Sequence, residues 1–472
     1  MFSKSTEALD YIAKSHVEMV DLKVCGIGGR WLHITIPATR FPASYFEEGV
    51  GFDGSSGSGF TNVEDGDVVA IPDPTAAFVD PFFHAPTLSF ICTTARADTK
   101  EPLGSDPRAV AQRAVEYLRS TRIADQSLMA PEFEFYVFDS LRFVNEPLRM
   151  SVEIGSSEAR SDGSNTPAAP RQAYLLTPPT ERLHDIRSEI SSILEQMGVA
   201  VRYHHHEVGA CGQCEIEVCL ADLVRAADQA MLVKYVVKNV AARHGKLATF
   251  MPKPVFGEAG NGMHVHQKLD RAGQPLFFDP SDAAYAHLSP TALRYIGGLL
   301  THGCALTGLT NPSTNSFKRL VPGFEAPVYL FFSIANRSAA IRVPRYAVSP
   351  PEKRIEYRPP DATGNVYLML AAMLMAGLDG IASQIDIRSR HFGPFDVDIA
   401  RQDAAFREGI TPLPLSLGAA LYALAADQHF LTKGGVFTSS FLENWIAVKR
   451  RDETIEMARR PHPYEYELYL DA

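Results

Sequence analysis

The stretch RYHHHEVGACGQCEIEVC, Arg202–Cys219, holds three histidines, three cysteines and three glutamates within eighteen residues. At its centre, GACG (Gly209–Gly212) separates two alternating segments, and a glycine-bearing turn between such segments predicts a β-hairpin. With the hairpin centred on Cys211, Glu207 stands opposite Glu215 and His205 opposite Glu217, all on one face of an antiparallel sheet. Two facing carboxylates repel by ~4 kcal/mol at ~4 Å for an effective dielectric near ~20, so a buried pair requires a proton, an arginine or a cation. Cys211 and Cys214 have the spacing of half a zinc site. No second cysteine pair accompanies them, and HEVGA lacks the second histidine of a metalloprotease helix, so both cysteines are expected in the turn.

The same period of two recurs. In PEFEF, Glu132 and Glu134 project from one face of a strand while Phe133 and Phe135 pack behind it. In GNGMHVHQ, His264 and His266 follow glycines that permit close backbone approach, and KRIEYRPPD places Glu356 and Arg358 at the same spacing. One such pair alone reads as a solvated strand face. Four strands that otherwise carry core residues are harder to explain as solvation. Glu132, Glu134, Glu207, Glu215, Glu356 and His264 make an oxygen-rich set with a single nitrogen, which suits Mg²⁺ or Mn²⁺, and six ligands of such charge imply two ions. Arg319, Arg337, Arg342, Arg354 and Arg358 supply guanidinium forks that match phosphate or carboxylate, and paired ions beside arginines are the apparatus of phosphoryl transfer. Arg345 reads as a surface residue.

At 472 residues the chain exceeds a single core. Forty-five basic against fifty-five acidic residues give a net charge of −10, a sign that repels nucleic acid and anionic membrane. The N-terminal residues predict an amphipathic helix running into a strand, without the features of a signal peptide, so a cytoplasmic protein is expected. VYLMLAAMLMAGLDGIA from Val366 is too short for a membrane span and contains Asp379, so it predicts a buried helix. The six cysteines are expected as free thiols. KEPLGSDPR ends in a helix-capping Asp106 and marks a boundary between units 1–104 and 105–472. Residues 155–170 are a Gly/Ser/Pro-rich loop, and a helix is expected over TERLHDIRSEISSILEQMG from Thr180. Helices alternating with hairpin-like strands give an α+β class with an antiparallel sheet.

Collinear strings identify a family over nearly the whole chain: FDGSSGSGF from Phe52, PEFEF, HHHEVGACGQCE, KYVVKNVAARHGKLATFMPKPVFGEAGNGMHVH from Lys234, KRLVPGFEAP from Lys318, NRSAAIRVP from Asn336, RIEYRPPD, GGVFT from Gly434 and RPHPYEYELY from Arg460. The sequence resembles type I bacterial glutamine synthetases. The resemblance implies an N-terminal β-grasp domain and a catalytic domain whose antiparallel strands line a funnel. It implies one ion on Glu134, Glu207 and Glu215 and another on Glu132, His264 and Glu356. Glutamate-binding positions fall on Gly260, Arg319 and Arg358, and nucleotide or phosphate contacts on His266, Lys268, Arg337 and Arg342. Asp53 resembles the residue that binds and deprotonates ammonium from a neighbouring subunit. Glu325 resembles the acid on a flap that closes over the intermediate, and two stacked hexameric rings are implied, with no nucleic acid or membrane partner. The chain departs from the family at Ala259, Lys268, Pro351 and Leu220. Phe395 stands where enterobacterial members carry an adenylylated tyrosine, so that modification is not expected here. Two alternatives accompany the expected ATP-dependent ligation of ammonia to glutamate. One is a γ-glutamyl-amine or polyamine ligase; the other is an inactive relative, which would have lost metal ligands, and none of the six is lost.

Overall fold

The structure, a computed structural model, describes residues 2–56, 59, 66–160, 163 and 166–472; parts of FDGSSGSGF and of the 155–170 loop lie outside them. Near the N-terminus the helix Ser5–Lys14 packs on a five-stranded sheet. Its strands are β1 (Met19–Cys25), β2 (Trp31–Pro37), β3 (Val50–Asp53), β4 (Asp67–Asp80) and β5 (Thr87–Arg96), in the order β2-β1-β5-β4-β3. Val20, Leu22 and Val24 alternate along β1 into one buried cluster with Ala8, Phe41 and Phe90, the period-two signature of a strand. β1 and β5 run parallel; the other pairs are antiparallel.

The helix Pro107–Thr121 follows, capped by Asp106, whose carboxylate accepts from the Ala109 amide at 2.8 Å. The second sheet is built around the long β6 (Gln126–Phe138). A projecting hairpin, β7 (Ser140–Glu146) and β8 (Arg149–Gly155), leaves the end of β6. Then come β9 (Val201–His206), β10 (Gln213–Val218), β11 (Ala221–Asp222), β12 (Leu247–Thr249), β13 (Met263–Arg271), β14 (Gln274–Pro275), β15 (Tyr329–Ile334), β16 (Ala339–Val343) and β17 (Ile355–Tyr357). The main path is β15-β16-β17-β13-β6-β10-β9. Every neighbour on it is antiparallel except β15 and β16, which run parallel.

Phe133 and Phe135 are fully buried behind β6, where both rings meet Phe250. The helices Pro107–Thr121 and Leu223–Arg243 pack on β6, and the apolar helix Val366–Ala382 packs on both of these helices. No helix among the described residues is long and apolar enough to cross a membrane. The helix expected from Thr180 begins only at His184. Ahead of it Glu181 folds back: its carboxylate accepts from the Leu183 amide at 2.7 Å and pairs with Arg187 at 2.8 Å. An acidic side chain engaging the backbone in this way competes with the helical turn it precedes.

The Arg202–Cys219 hairpin is centred one residue earlier than expected. Cys214 pairs with His206, Glu215 with His205 and Ile216 with His204. The turn closes through Gln213, whose carbonyl accepts from the Glu207 amide at 2.9 Å and whose side chain accepts from the Gly209 amide at 2.8 Å. Gly212, at φ 96°, takes the reversal that a side chain would strain. The offset is even, so Glu207 and Glu215 keep a common face. Glu215 now faces His205, and Glu207 lies beside Gln213.

Candidate active site

Registers along β6 assemble the site. Glu134 pairs with Glu215 and Glu132 with Glu217 on β10; on the other side Glu132 pairs with His264 on β13, and Glu356 on β17 pairs with His266. One face of four adjacent strands thus carries the carboxylates and imidazoles expected there. Glu132, Glu134, Glu215, His264 and Glu356, with Glu207 beside them, line a cavity of about 490 Å³.

His264 Nδ1 lies 3.0 Å from Glu132 Oε1 and 3.7 Å from Glu356 Oε1, and its Nε2 is 3.9 Å from Glu134 Oε1. Across β6, His205 Nε2 stands 3.1 Å from Glu215 Oε1. Ligating atoms of Glu132, Glu134 and His264 fall within 4.8 Å of one another, as do those of His205, Glu207 and Glu215 and those of Glu132, Glu217 and His266. Glu356 is drawn toward its arginines, with Arg342 and Arg358 each donating to one carboxylate oxygen at 2.5 Å.

The charges are unevenly relieved. Burial pushes Glu207 up to about 8, and the Glu134 charge adds to it. Burial, and then the charges of Glu132 and Glu207, hold Glu215 well above the usual carboxylate range. Burial also opposes ionisation of Glu132, but hydrogen bonds from His264 and His266 outweigh it and hold that carboxyl well below its usual value. Glu356 is likewise buried, yet Arg358 and Arg342 bring it down to about 2. Glu217 Oε2 is buried without a hydrogen-bond partner, and His266 Nε2 has a long contact to Glu132 Oε2 at 3.4 Å. A cluster of buried carboxylates that repel one another, with an orphaned carboxylate oxygen beside it, fits divalent cations with oxygen ligands. No cysteine joins any of these groups. Cys214 is buried on the far side against Arg187, and burial pushes its thiol up to about 12 and that of Cys211 up to about 11.

Arg319 forms the floor. Its guanidinium donates to the carbonyls of Pro359 (2.7 Å), Arg358 (3.1 Å) and Pro360 (3.2 Å), and Nη2 lies 3.2 Å from His264 Nε2. Two glycines let the chain pass over it. A Cβ on Gly260 would meet the Pro252 carbonyl oxygen at 2.6 Å, and one on Gly262 would meet Arg319 Nη2 at 2.4 Å and His264 Nε2 at 2.7 Å. The rim carries Arg337 and Glu325, 3.8 Å apart and both well exposed. Glu325 holds φ 55°, and its carbonyl accepts from Arg358 Nη2 at 3.2 Å.

Three expected residues stand elsewhere. His266 is buried behind Glu132, its Nε2 3.4 Å from Glu132 Oε2, and does not line the cavity. Lys268 is buried with its ammonium 3.0 Å from Asp270, and it does not line the cavity. Asp53 is exposed outside the cavity of its own chain, accepting from the Ser55 amide at 2.8 Å and from the Ser55 hydroxyl at 2.6 Å. Hydrogen bonds from Ser55 and Ser56 bring its carboxyl down to about 2. Tyr203 and Tyr346 at the mouth went unread in the sequence; Tyr346 is flanked by Arg202, Arg342 and Arg354 at 5.5 to 5.8 Å. Gln213, also missed, ties the hairpin to the Gly260 carbonyl at 3.0 Å. Its only sequence signal was its place at the hairpin turn.

Comparison with known proteins agrees with this geometry. Residues 16–96 match the family model "Glutamine synthetase, beta-Grasp domain", and residues 104–469 match "Glutamine synthetase, catalytic domain". The glutamine synthetases of Frankia alni and Streptomyces coelicolor are each 44% identical, over 479 and 477 residues, with all of both chains covered. That of Nostoc sp. is 44% identical over 476 residues, covering 98% of this chain and 99% of the other. Among solved structures, Plasmodium falciparum glutamine synthetase superposes with a TM-score of 0.90 at 26% identity, covering 99% of each chain. A GmaS/ADP complex superposes at 0.81 with 28% identity, covering 98% and 99%. With both family models matched in order and full-length relatives this similar, the chain belongs to the glutamine synthetase family.

Proposed function

We propose that the cavity holds two divalent ions, one on Glu134, Glu207 and Glu215 and the other on Glu132, His264 and Glu356. We further propose that L-glutamate binds at Gly260, Arg319 and Arg358, with the ATP phosphates at His266, Arg337 and Arg342. The chain is a glutamate–ammonia ligase: with ATP it joins ammonia to the side-chain carboxylate of L-glutamate through γ-glutamyl phosphate, yielding L-glutamine, ADP and phosphate. It uses ATP and Mg²⁺ or Mn²⁺. The observation that carries the residue assignment is the single strand face on which β6, β10, β13 and β17 converge.

When bound, the ions neutralise phosphate oxygens as charge develops on them. The protein's own groups do the rest. Arg337 and Arg342 stabilise the transferring phosphoryl group, whose acceptor is a carboxylate oxygen of glutamate held beside Arg319. Asp53, supplied by a neighbouring subunit and ionised at neutral pH, binds ammonium and takes a proton from it. Ammonia attacks the acyl carbon, phosphate leaves, and Glu325 receives the remaining proton while covering the cavity.

Asp53 lies outside the cavity of its own chain, which supports sites shared between subunits and a homo-oligomer of two stacked hexamers. Apolar side chains left exposed on the projecting hairpin (Phe143, Leu148, Val152) and at the C-terminus (Tyr466, Leu468, Leu470) support further burial between subunits. Six free cysteines suit a cytoplasmic location, and the two units meet at residues 104/105. Phosphate release with ammonium, methylamine, ethanolamine and putrescine tests the acceptor. Ammonium is expected to dominate, and an amine far above it would overturn the assignment.

A further inference from the structure

The rim segment 322–326 is gripped by cations. The half-buried Phe324 ring lies with Lys253 Nζ 3.6 Å from its centroid and Arg171 Cζ at 5.6 Å. Arg171 and the adjoining Glu325 both hold left-handed backbone, at φ 60° and 55°, which a side chain adopts only when its surroundings enforce it. At Arg171 the buried Glu258 supplies that enforcement. Its Oε2 accepts from the amides of Arg171 (3.2 Å) and Ala210 (3.1 Å), and its carbonyl accepts from Lys253 Nζ. The Lys253 amide donates to the Asn315 side chain at 2.7 Å, and that side chain donates back to the Lys253 carbonyl at 3.2 Å. Both cations are therefore fixed relative to the turn that follows Glu207, and the Phe324 ring rests the rim on them.

We propose that Phe324 is a positioning residue: a cation–π clamp, formed with Lys253 and Arg171, that holds Glu325 over the cavity and keeps water from the acyl phosphate. This rests on the assignment of Glu325 as the covering acid. Without the clamp, a water oxygen attacks the acyl carbon and the carbon–oxygen bond to phosphate breaks. Glutamate, phosphate and a proton are released, so ATP is consumed and no glutamine forms.

The test uses full-length Phe324→Ala, Phe324→Tyr, Lys253→Met and Glu325→Ala proteins. Each is assayed with Mg²⁺, ATP, glutamate and limiting ammonium, counting phosphate and glutamine together. Wild type and Phe324→Tyr are expected to release one phosphate per glutamine. In Phe324→Ala and Lys253→Met, phosphate released without glutamine rises about tenfold, equivalent to ~1.4 kcal/mol of lost clamp. Lys253→Met keeps the aliphatic stem, so it carries the test should Phe324→Ala fold poorly. If Glu325→Ala uncouples the reaction while Phe324→Ala and Lys253→Met remain coupled, the clamp is overturned and the covering acid stands. If Glu325→Ala stays coupled, the underlying assignment fails and the clamp with it.

Discussion

Substituting Gly262 by alanine adds one methyl group at the most crowded point of the site. The new Cβ would lie 2.4 Å from Arg319 Nη2 and 2.7 Å from His264 Nε2, where ordinary contact needs ~3.5 Å or more. Both contacts are too short, so Arg319 and His264 must each retreat by about 1 Å or the backbone between them must shift. Arg319 cannot swing aside cheaply, because its guanidinium is held by the three carbonyls of residues 358–360, and each charged hydrogen bond contributes ~1.5–3 kcal/mol. His264 is buried between Glu132 and Glu356. A cost of ~2–4 kcal/mol follows, which lowers kcat/KM for glutamate by roughly 30- to 900-fold if the displaced groups are the ones that bind it. Steady-state kinetics on Gly262→Ala measures this directly. Gly409→Ala is the control, since that glycine sits at φ −82° and a Cβ added there would have nothing within 4 Å. An unchanged kcat/KM in a well-folded Gly262→Ala protein would refute both the steric reasoning and the placing of glutamate beside Arg319.

Removal of divalent ions with a chelator is expected to abolish activity, restored by Mg²⁺ or Mn²⁺; Glu215→Gln should weaken Mn²⁺ binding, read by titration, by about 10- to 100-fold, and equal affinity would remove Glu215 from the ligand set. A second test concerns pH. Burial opposes the charge on His302, but its bonds to Asp379 (3.0 Å) and Asp427 (2.7 Å) outweigh burial and raise its pKa. A raised histidine stabilises fully below its unfolded value near ~6.5 and loses that contribution as pH climbs through the folded value. The unfolding midpoint should therefore fall above neutrality, and His302→Gln should flatten that slope; a wild-type slope in the variant would discount the cluster. Phe395 packs against Phe331 and Phe406 and has no hydroxyl, so incubation with an adenylyltransferase and labelled ATP should leave the protein unlabelled. Label lost on mutating another tyrosine would show that a different residue serves.

The strands that carry the clustered carboxylates and imidazoles were legible because one rule governs them all. Alternation puts Glu132 with Glu134 and His264 with His266 on shared faces whatever the strand order, and Glu207 with Glu215 survived a two-residue change in pairing for the same reason. The hairpin centre was not legible, because it depends on Gln213 closing the turn with its side chain, a choice that residue types alone do not announce. The start of the helix at His184 was misplaced because Glu181 engages the backbone from outside any periodic pattern. Lys268 shares the outward spacing of His266, yet Asp270 at the next alternate position holds it inside the sheet. Tyr346 and Phe324 were invisible for another reason: both act from irregular segments, where spacing carries no information about facing.

Glu132 and Glu134 are two residues apart on the central strand, so the backbone itself sets their separation at about 6.6–6.8 Å. With β10 on one side and β13 on the other, β6 serves as a ruler whose graduations no side-chain substitution can move. Chemistry that depends on that spacing is inherited with the sheet, whereas the rim around Tyr346, Phe324 and Glu325 lies on irregular chain whose geometry no strand register fixes. New acceptors would accordingly be selected at the mouth, leaving the measuring edge below it untouched.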